Sequence, residues 1–170
     1  GMSRRDLGAF VKTLTDLPVT KVINTHGHFD HTGGNGFFKE AYMHPKATKV
    51  AKFVFGDPAD YPLDYEIKTV TEGDAIDIGN RKLEIFEIPA HSPGSIAILD
   101  TKYRILFSGD ELESGQVLIM GTMGDVQAGE KDGTLLDHQN NMKKLQKMED
   151  RFDVICPAHN GTPIAKDYIE

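Results

Sequence analysis

The sequence predicts one domain of mixed α/β class whose centre is built from antiparallel hairpins and not from alternating strand–helix units. Three observations carry this prediction. An apolar helical stripe opens the chain, β-patterned segments crowd the stretch from 75 to 110, and a helix followed by a short strand closes it. The 170 residues suit a single domain with a sizeable core. No repeat, low-complexity tract or linker divides them, so residues 1–170 are read as one unit.

The elements follow in order. Ser3 and Asp6 resemble a capping box, and Leu7, Phe10, Val11 and Leu14 then recur at helical spacing, which predicts a first helix. "VTKVIN" (Val19 to Asn24) is a β-rich run that ends directly at a loop crowded with histidines. "YMHP" reads as a short strand ending at His44, and Pro45 predicts a second helix running to about Phe55. "AIDIG", "KLEIFEIP", "SIAILD" and "YRILFSGD" are strands, punctuated by Gly79-Asn80 and Asp100-Thr101-Lys102. Between Asp132 and Asp150, Leu135, Leu136, Met142, Leu145 and Met148 form an approximate helical stripe. "FDVICP" (Phe152 to Pro157) is the last strand, stopped by its proline.

Composition narrows the function. With 39% hydrophobic and 26% charged residues, the chain is globular and not disordered. A net charge of −7 argues against a nucleic-acid partner, which usually demands a basic patch. Cys156 is the only cysteine, so no internal disulfide forms, and a cytoplasmic location is expected. No apolar run approaches a membrane span or a secretory signal, and Gly1 before Met2 reads as a scar of tag removal.

The chemistry concentrates in "NTHGHFDHTGGN" (Asn24 to Asn35), where His26, His28, Asp30 and His31 fall as H-x-H-x-D-H. In an extended segment His26 and His28 point the same way and can share a metal, while Asp30 and His31, after a turn, can face a second one. Imidazole and carboxylate ligands suit zinc, and also iron or manganese. Gly27, Gly33, Gly34 and Gly36 are expected to give the backbone the freedom to crowd these ligands. A tag is excluded, because Asp30 interleaves the histidines and a strand precedes them. Three more ligand types end strands: His91 in "IPAHSPGS", Asp110 in "ILFSGD" and His159 in "ICPAHNG". Any one alone reads as an ordinary turn residue. Together with the histidine loop they read as a two-metal site.

These stretches, from Val22 to about Ile164, resemble the metallo-β-lactamase superfamily. "IPAHSPGSIAILD" is similar to that family's "TPGHTPGS" loop, with Ile88, Ala90 and Ser92 as departures that leave His91 intact. The resemblance implies an αββα four-layer sandwich, an α+β arrangement with metals at one edge between its sheets. It implies that His26, His28 and His91 hold a first metal and Asp30, His31 and His159 a second, with Asp110 bridging. Two such ions lower the pKa of a bridging water, so the expected nucleophile is a metal-bridged hydroxide, with Asp30 as the catalytic carboxylate expected to orient it and to accept a proton. Zinc is favoured as the two divalent ions.

The closest branch is glyoxalase-II-like, implying hydrolysis of a small thioester, lactone or other ester. Hydroxyacylglutathione hydrolase adds a C-terminal helical region, whereas this chain stops eleven residues after His159, which argues against glutathione thioesters. The alternatives are a phosphodiesterase or nuclease of the same superfamily and a metal-binding but catalytically inert protein. Specificity is expected in the segments from Phe53 to Lys68 and Glu111 to Thr134. His44 reads as structural or exposed, His138 as solvated, and Cys156 as buried core. The family's strands that precede the histidine loop are absent here, so the fold is expected to be shortened at its N-terminus. The resulting open sheet edge predicts a homodimer.

Overall fold

Alternation along the chain resolves into two β-sheets packed face to face. The structure, a computed structural model, describes residues 5–54, 56–119, 125–126, 128–131 and 133–169. The smaller sheet holds β1 (Lys21–Ile23), β2 (Glu40–Met43) and β3 (Glu66–Thr69), all parallel, with β2 central. The larger sheet holds β4 (Ala75–Asp77), β5 (Lys82–Glu87), β6 (Ile96–Asp100), β7 (Ile105–Gly109), β8 (Val154–Pro157) and β9 (Ile164–Ala165) in chain order. Its pairs are antiparallel except β7–β8, which is parallel. It follows that β5, β7 and β8 run in one direction and end at the same edge. The helices described over their whole length are α1 (Leu7–Lys12), the single turn α2 (Phe29–Thr32) and α3 (Leu135–Gln146).

The core lies in three layers. Ile98, Ile96, Ile85, Ile76 and Val70 fill the space between the sheets, met by Ile23 and Tyr42 from the smaller one. Period-two alternation turns Ala97, Leu99, Leu106 and Ile155 to the opposite face, where Leu145, Met148 and Phe152 from α3 and the residues after it cover them. On the outer face of the small sheet, Ala41 and Met43 pack on Ala47, Ala51 and Tyr65. This is the expected αββα layering, with the outer layer over the small sheet made by a 3₁₀ segment, Pro45–Lys49.

Several elements differ from the sequence reading. The second helix is that 3₁₀ segment, capped by the Nδ1 of His44, which accepts the Lys46 amide at 3.2 Å. The β-branched Thr48 and Val50 disfavour its continuation, and Phe55 lies outside the described residues. β3 occupies the end of the stretch read as a loop, because Ile67 is packed against the small-sheet core. β9 pairs back on β8 beyond the strand read as last. In α1 the cap is Asp6, whose Oδ1 accepts the Ala9 amide at 2.9 Å, while Ser3 lies outside the described residues. Its apolar stripe is not core: the helix buries none of its residues, and Phe10 is 58% exposed. Leu135 and Leu136 are exposed too. The inward face of α3 is instead Asn141 and Leu145, with Met148 just beyond. Cys156 is half-buried, on the strand face opposite the buried Ile155. No helix among the described residues is long and apolar enough to cross a membrane.

β1 is an edge strand with no neighbour beyond it among the described residues. Beside it lies a cleft of about 940 Å³ between the sheets, lined by Val19, Val22, Ile78, Leu83, Tyr103 and Phe107 among others. An open edge next to apolar surface favours strand pairing with another chain. We propose this edge as the contact for the homodimer expected from the sequence. Light scattering at low micromolar concentration should return twice the mass of one chain, and a Phe107→Glu variant should return one. Monomeric wild-type protein would contradict the expectation.

Candidate metal centre

Strand direction brings the ligand-type residues together. His26 follows β1, His91 lies in the turn between β5 and β6, Asp110 comes directly after β7, and His159 lies two residues after β8. Because β5, β7 and β8 are codirectional, His91, Asp110 and His159 share one edge. The small sheet is tied to that edge where the Ile96 amide donates to the Thr25 carbonyl at 2.8 Å. His28 sits at the N-cap of α2, and Asp30 and His31 follow on that turn. All seven predicted residues meet, in two groups. His26, His28 and His91 form one, and Asp30, His31, Asp110 and His159 the other, with donor atoms in each group within 4.8 Å of one another.

Asp110 stands between the groups. Its Oδ2 lies 3.5 Å from His91 Nε2 and 3.8 Å from His26 Nε2 on one side, and 3.3 Å from His159 Nε2 on the other. Its Oδ1 lies 3.3 Å from His31 Nε2, near enough for attraction but not aligned for a hydrogen bond. Asp30 Oδ2 reaches His31 and His159 at 3.1 and 3.2 Å. His26 Nε2 and Asp110 Oδ1 are buried without a hydrogen-bond partner among the described residues. Orphaned buried acceptors are costly, and here they point into a cluster of nitrogen and oxygen donors. That is the donor set and arrangement that fit a divalent cation in each group.

Comparison with known families gives a match to the metallo-beta-lactamase superfamily over residues 3–159. The chain belongs to that superfamily. Among curated relatives, the acyl-coenzyme A thioesterase MBLAC2 of Gallus gallus is 31% identical over 163 residues, covering 81% of this chain and 55% of its own. The hydroxyacylglutathione hydrolase of Rhodospirillum rubrum is 38% identical over 97 residues, 56% of this chain and 35% of its own. The chain thus spans about half or less of these two enzymes. Among solved structures, the metallo-beta-lactamase from Pontibacter korlensis aligns with a TM-score of 0.70 at 20% identity, over 96% of this chain and 71% of its own. The di-iron-bound form of TTHA1623 aligns with a TM-score of 0.69 at 21% identity, over 96% and 83%. At these identities the structural likeness establishes the fold.

Within this superfamily member, neighbours fix which ring nitrogen faces each group. The Leu118 carbonyl can only accept, so His91 donates from Nδ1 at 2.7 Å and turns its Nε2 lone pair inward. His28 Nε2 lies 2.7 Å from the carboxylate of Asp125, which leaves Nδ1 facing inward, 3.0 Å from His91 Nε2. Burial, together with the surrounding imidazoles, holds the His26 pKa well below its ordinary value. Burial likewise lowers that of His91. Both rings therefore stay neutral and able to ligate. Burial opposes protonation of His31 as well, but its contacts with Asp110 and Asp30 prevail and raise its pKa to about 9. A cation entering the second group at neutral pH therefore displaces a proton. Contact with His31 holds Asp30 well below the usual carboxylate range.

The loop depends on residues that the sequence reading passed over. Asn24 and Asn35, which bracket it, bond each other through both amides at 2.8 and 3.2 Å, and Asn24 also donates to the His31 carbonyl at 3.2 Å. Gly33 and Gly34 take ordinary helical conformations, with φ of −59° and −95°, so they do not supply the freedom expected of them. At the edge of the site it is Gly109 that takes a left-handed backbone, with φ +61°, and a Cβ there would lie 2.6 Å from Thr25 Oγ1. Asp125 and Glu111 are also missed. Nothing in their local sequence signals these roles, because the side chains they hold lie far along the chain. His44 lies outside both groups and bonds Glu87 Oε1 at 3.1 Å, as a structural residue. His138 is half-buried and not freely solvated, its Nδ1 lying 3.0 Å from Glu111 Oε1.

Asp110→Ala should therefore weaken zinc binding at both groups, beyond the roughly 10–100-fold typical of losing a ligand's hydrogen-bonded neighbour. His44→Ala should leave zinc binding unchanged. Chelator competition on the two variants measures this, and equal losses would contradict the position assigned to Asp110.

Proposed function

We propose that this chain is a binuclear metal-dependent hydrolase of ester-like bonds, with thioesters and lactones as the favoured substrate class. The observation that carries the reading is Asp110, a buried carboxylate standing between a three-histidine group and an Asp–His–His group. In this reading His26, His28 and His91 hold one ion, Asp30, His31 and His159 the other, and Asp110 serves both. The relatives named as a thioesterase and as hydroxyacylglutathione hydrolase support the thioester class. Zinc is favoured by the nitrogen-rich donor set, and the di-iron form of TTHA1623 keeps iron as the main alternative.

Two bound divalent ions supply an activated water at neutral pH and Lewis acidity for the substrate's carbonyl oxygen. The chain's own residues supply position. His26 and His91 are kept neutral by burial, so their lone pairs need lose no proton before they ligate. Asp30 is an anion held toward His31 and His159, with its side chain 34% exposed at the mouth of the site. It can accept a hydrogen bond from an attacking water and orient it, and its low pKa favours this over storing a proton. No serine or cysteine nucleophile is called on. Ser108 is buried, its Oγ donating to the Leu112 carbonyl at 2.7 Å. The segments from Phe53 to Lys68 and Glu111 to Thr134 are proposed to select the acyl group. Residues 120–124, 127 and 132 of the second lie outside the described ones.

Metal-loaded protein assayed on thioesters, lactones, β-lactams and phosphodiesters should cleave thioesters or lactones. The activity should vanish with chelator and return with metal. Cleavage of phosphodiesters alone would transfer the assignment to the nuclease reading. Metal uptake without turnover of any class would leave an inert metal-binding protein.

A further inference from the structure

Directly after Asp110 the chain places a second carboxylate, Glu111, which is completely buried. The chain turns directly after β7, the Glu111 amide donating to the Ser108 carbonyl at 3.4 Å, so that Asp110 faces the ligand groups while Glu111 turns away from them toward α3 and the backbone of residues 90 and 91. No lysine or arginine neutralises Glu111 among its described contacts. Four nitrogen groups surround it instead. Its Oε2 accepts the amides of His91 at 2.8 Å and Ala90 at 3.2 Å. Its Oε1 accepts Asn141 Nδ2 at 2.9 Å and lies 3.0 Å from His138 Nδ1. A buried carboxylate is tolerated only when its oxygens are satisfied in this way.

These contacts join two parts of the molecule. Ala90 and His91 belong to the ligand loop between β5 and β6, whereas His138 and Asn141 sit on α3, three residues apart and so on one face. The capping box of Thr134 and Asp137 fixes where α3 starts, and with it the direction of that face. A second close contact runs in parallel. A Cβ on Gly133, just before the helix, would lie 2.1 Å from the Ala90 carbonyl oxygen, so the start of α3 rests on the backbone of the ligand loop. His91 is thus held twice by the chain that follows β7, its backbone by Glu111 and its ring by the Leu118 carbonyl.

We propose that Glu111 is a positioning residue for His91, and that α3 acts on the three-histidine group through it, by way of His138 and Asn141. The inference rests on His91 being a metal ligand. It makes residues on the back of the larger sheet, distant in sequence from every ligand, determinants of metal affinity. It also explains two polar residues on the inward side of a helix that otherwise covers an apolar core.

The test compares wild-type protein with Glu111→Gln, Glu111→Leu and Asn141→Leu. Glutamine keeps one carbonyl oxygen for the two loop amides, and leucine keeps none. Affinity for the tighter cobalt equivalent should fall in the order wild type, Gln, Leu, with the glutamine loss about 10-fold and the leucine loss about 100-fold. Asn141→Leu should move the same way, and the visible spectrum of the bound cobalt should change in each variant. In metal-free protein, hydrogen exchange at the Ala90 and His91 amides should accelerate while the β1–β2 amides stay protected. If Glu111→Leu does not fold, the glutamine and Asn141 variants carry the test. Wild-type cobalt affinity and spectrum in both, with unchanged exchange at Ala90 and His91, would overturn the inference. Wild-type protein that binds no cobalt would instead bring down the metal-site reading beneath it.

Discussion

Three codirectional strands in one sheet are the constraint on which the rest of this molecule depends. β5, β7 and β8 end at the same edge, so residues 91, 110 and 159 become neighbours although long stretches of chain separate them. The hydrogen bond from the Ile96 amide to the Thr25 carbonyl brings the end of β1 to that edge from the other sheet, and with it the histidine loop. Gly109 makes the junction possible, because no larger residue could turn there against Thr25. Sheet direction comes from backbone pairing and the apolar core, so the site is assembled by forces that have nothing to do with its chemistry.

That assembly is electrostatically uncomfortable without a cation. Five imidazoles and two carboxylates from different parts of the chain gather in two adjoining groups, and His26 and Asp110 each bury an atom that has no hydrogen-bond partner among the described residues. A folded protein accepts such a concentration only where surrounding polar groups hold it in place. The Asn24–Asn35 pair closes the loop, Leu118 and Asp125 fix the tautomers of His91 and His28, and Glu111 pins the loop that carries His91. The ligands form one shell, and their orientation is imposed by another drawn largely from the segment after β7.

His91, Asp110 and His159 were legible in the sequence because each follows an apolar run, and a strand end is a place where pattern and chemistry are read together. The H-x-H-x-D-H spacing could be read locally, and so could most of the strands. Their supporting residues could not. Asp125 acts on a histidine 97 positions earlier, and Glu111 on a helix some 27–30 positions later, distances that only the tertiary fold closes. The helical stripes misled for a related reason. Leu135 and Leu136 fit the period but face solvent, while Asn141 takes an inward position because Glu111 waits there. In the segment after His44, a proline at the expected place announced a helix whose continuation Thr48 and Val50 did not favour.

The measurement that bears most directly on this account is the number of metal ions bound per chain. It would be made by elemental analysis of protein loaded with zinc and freed of excess, together with anomalous scattering from its crystals. Two ions per chain are predicted, one among His26, His28 and His91 and one among Asp30, His31 and His159, with Asp110 touching both. Protein that takes up no metal after such loading would contradict it.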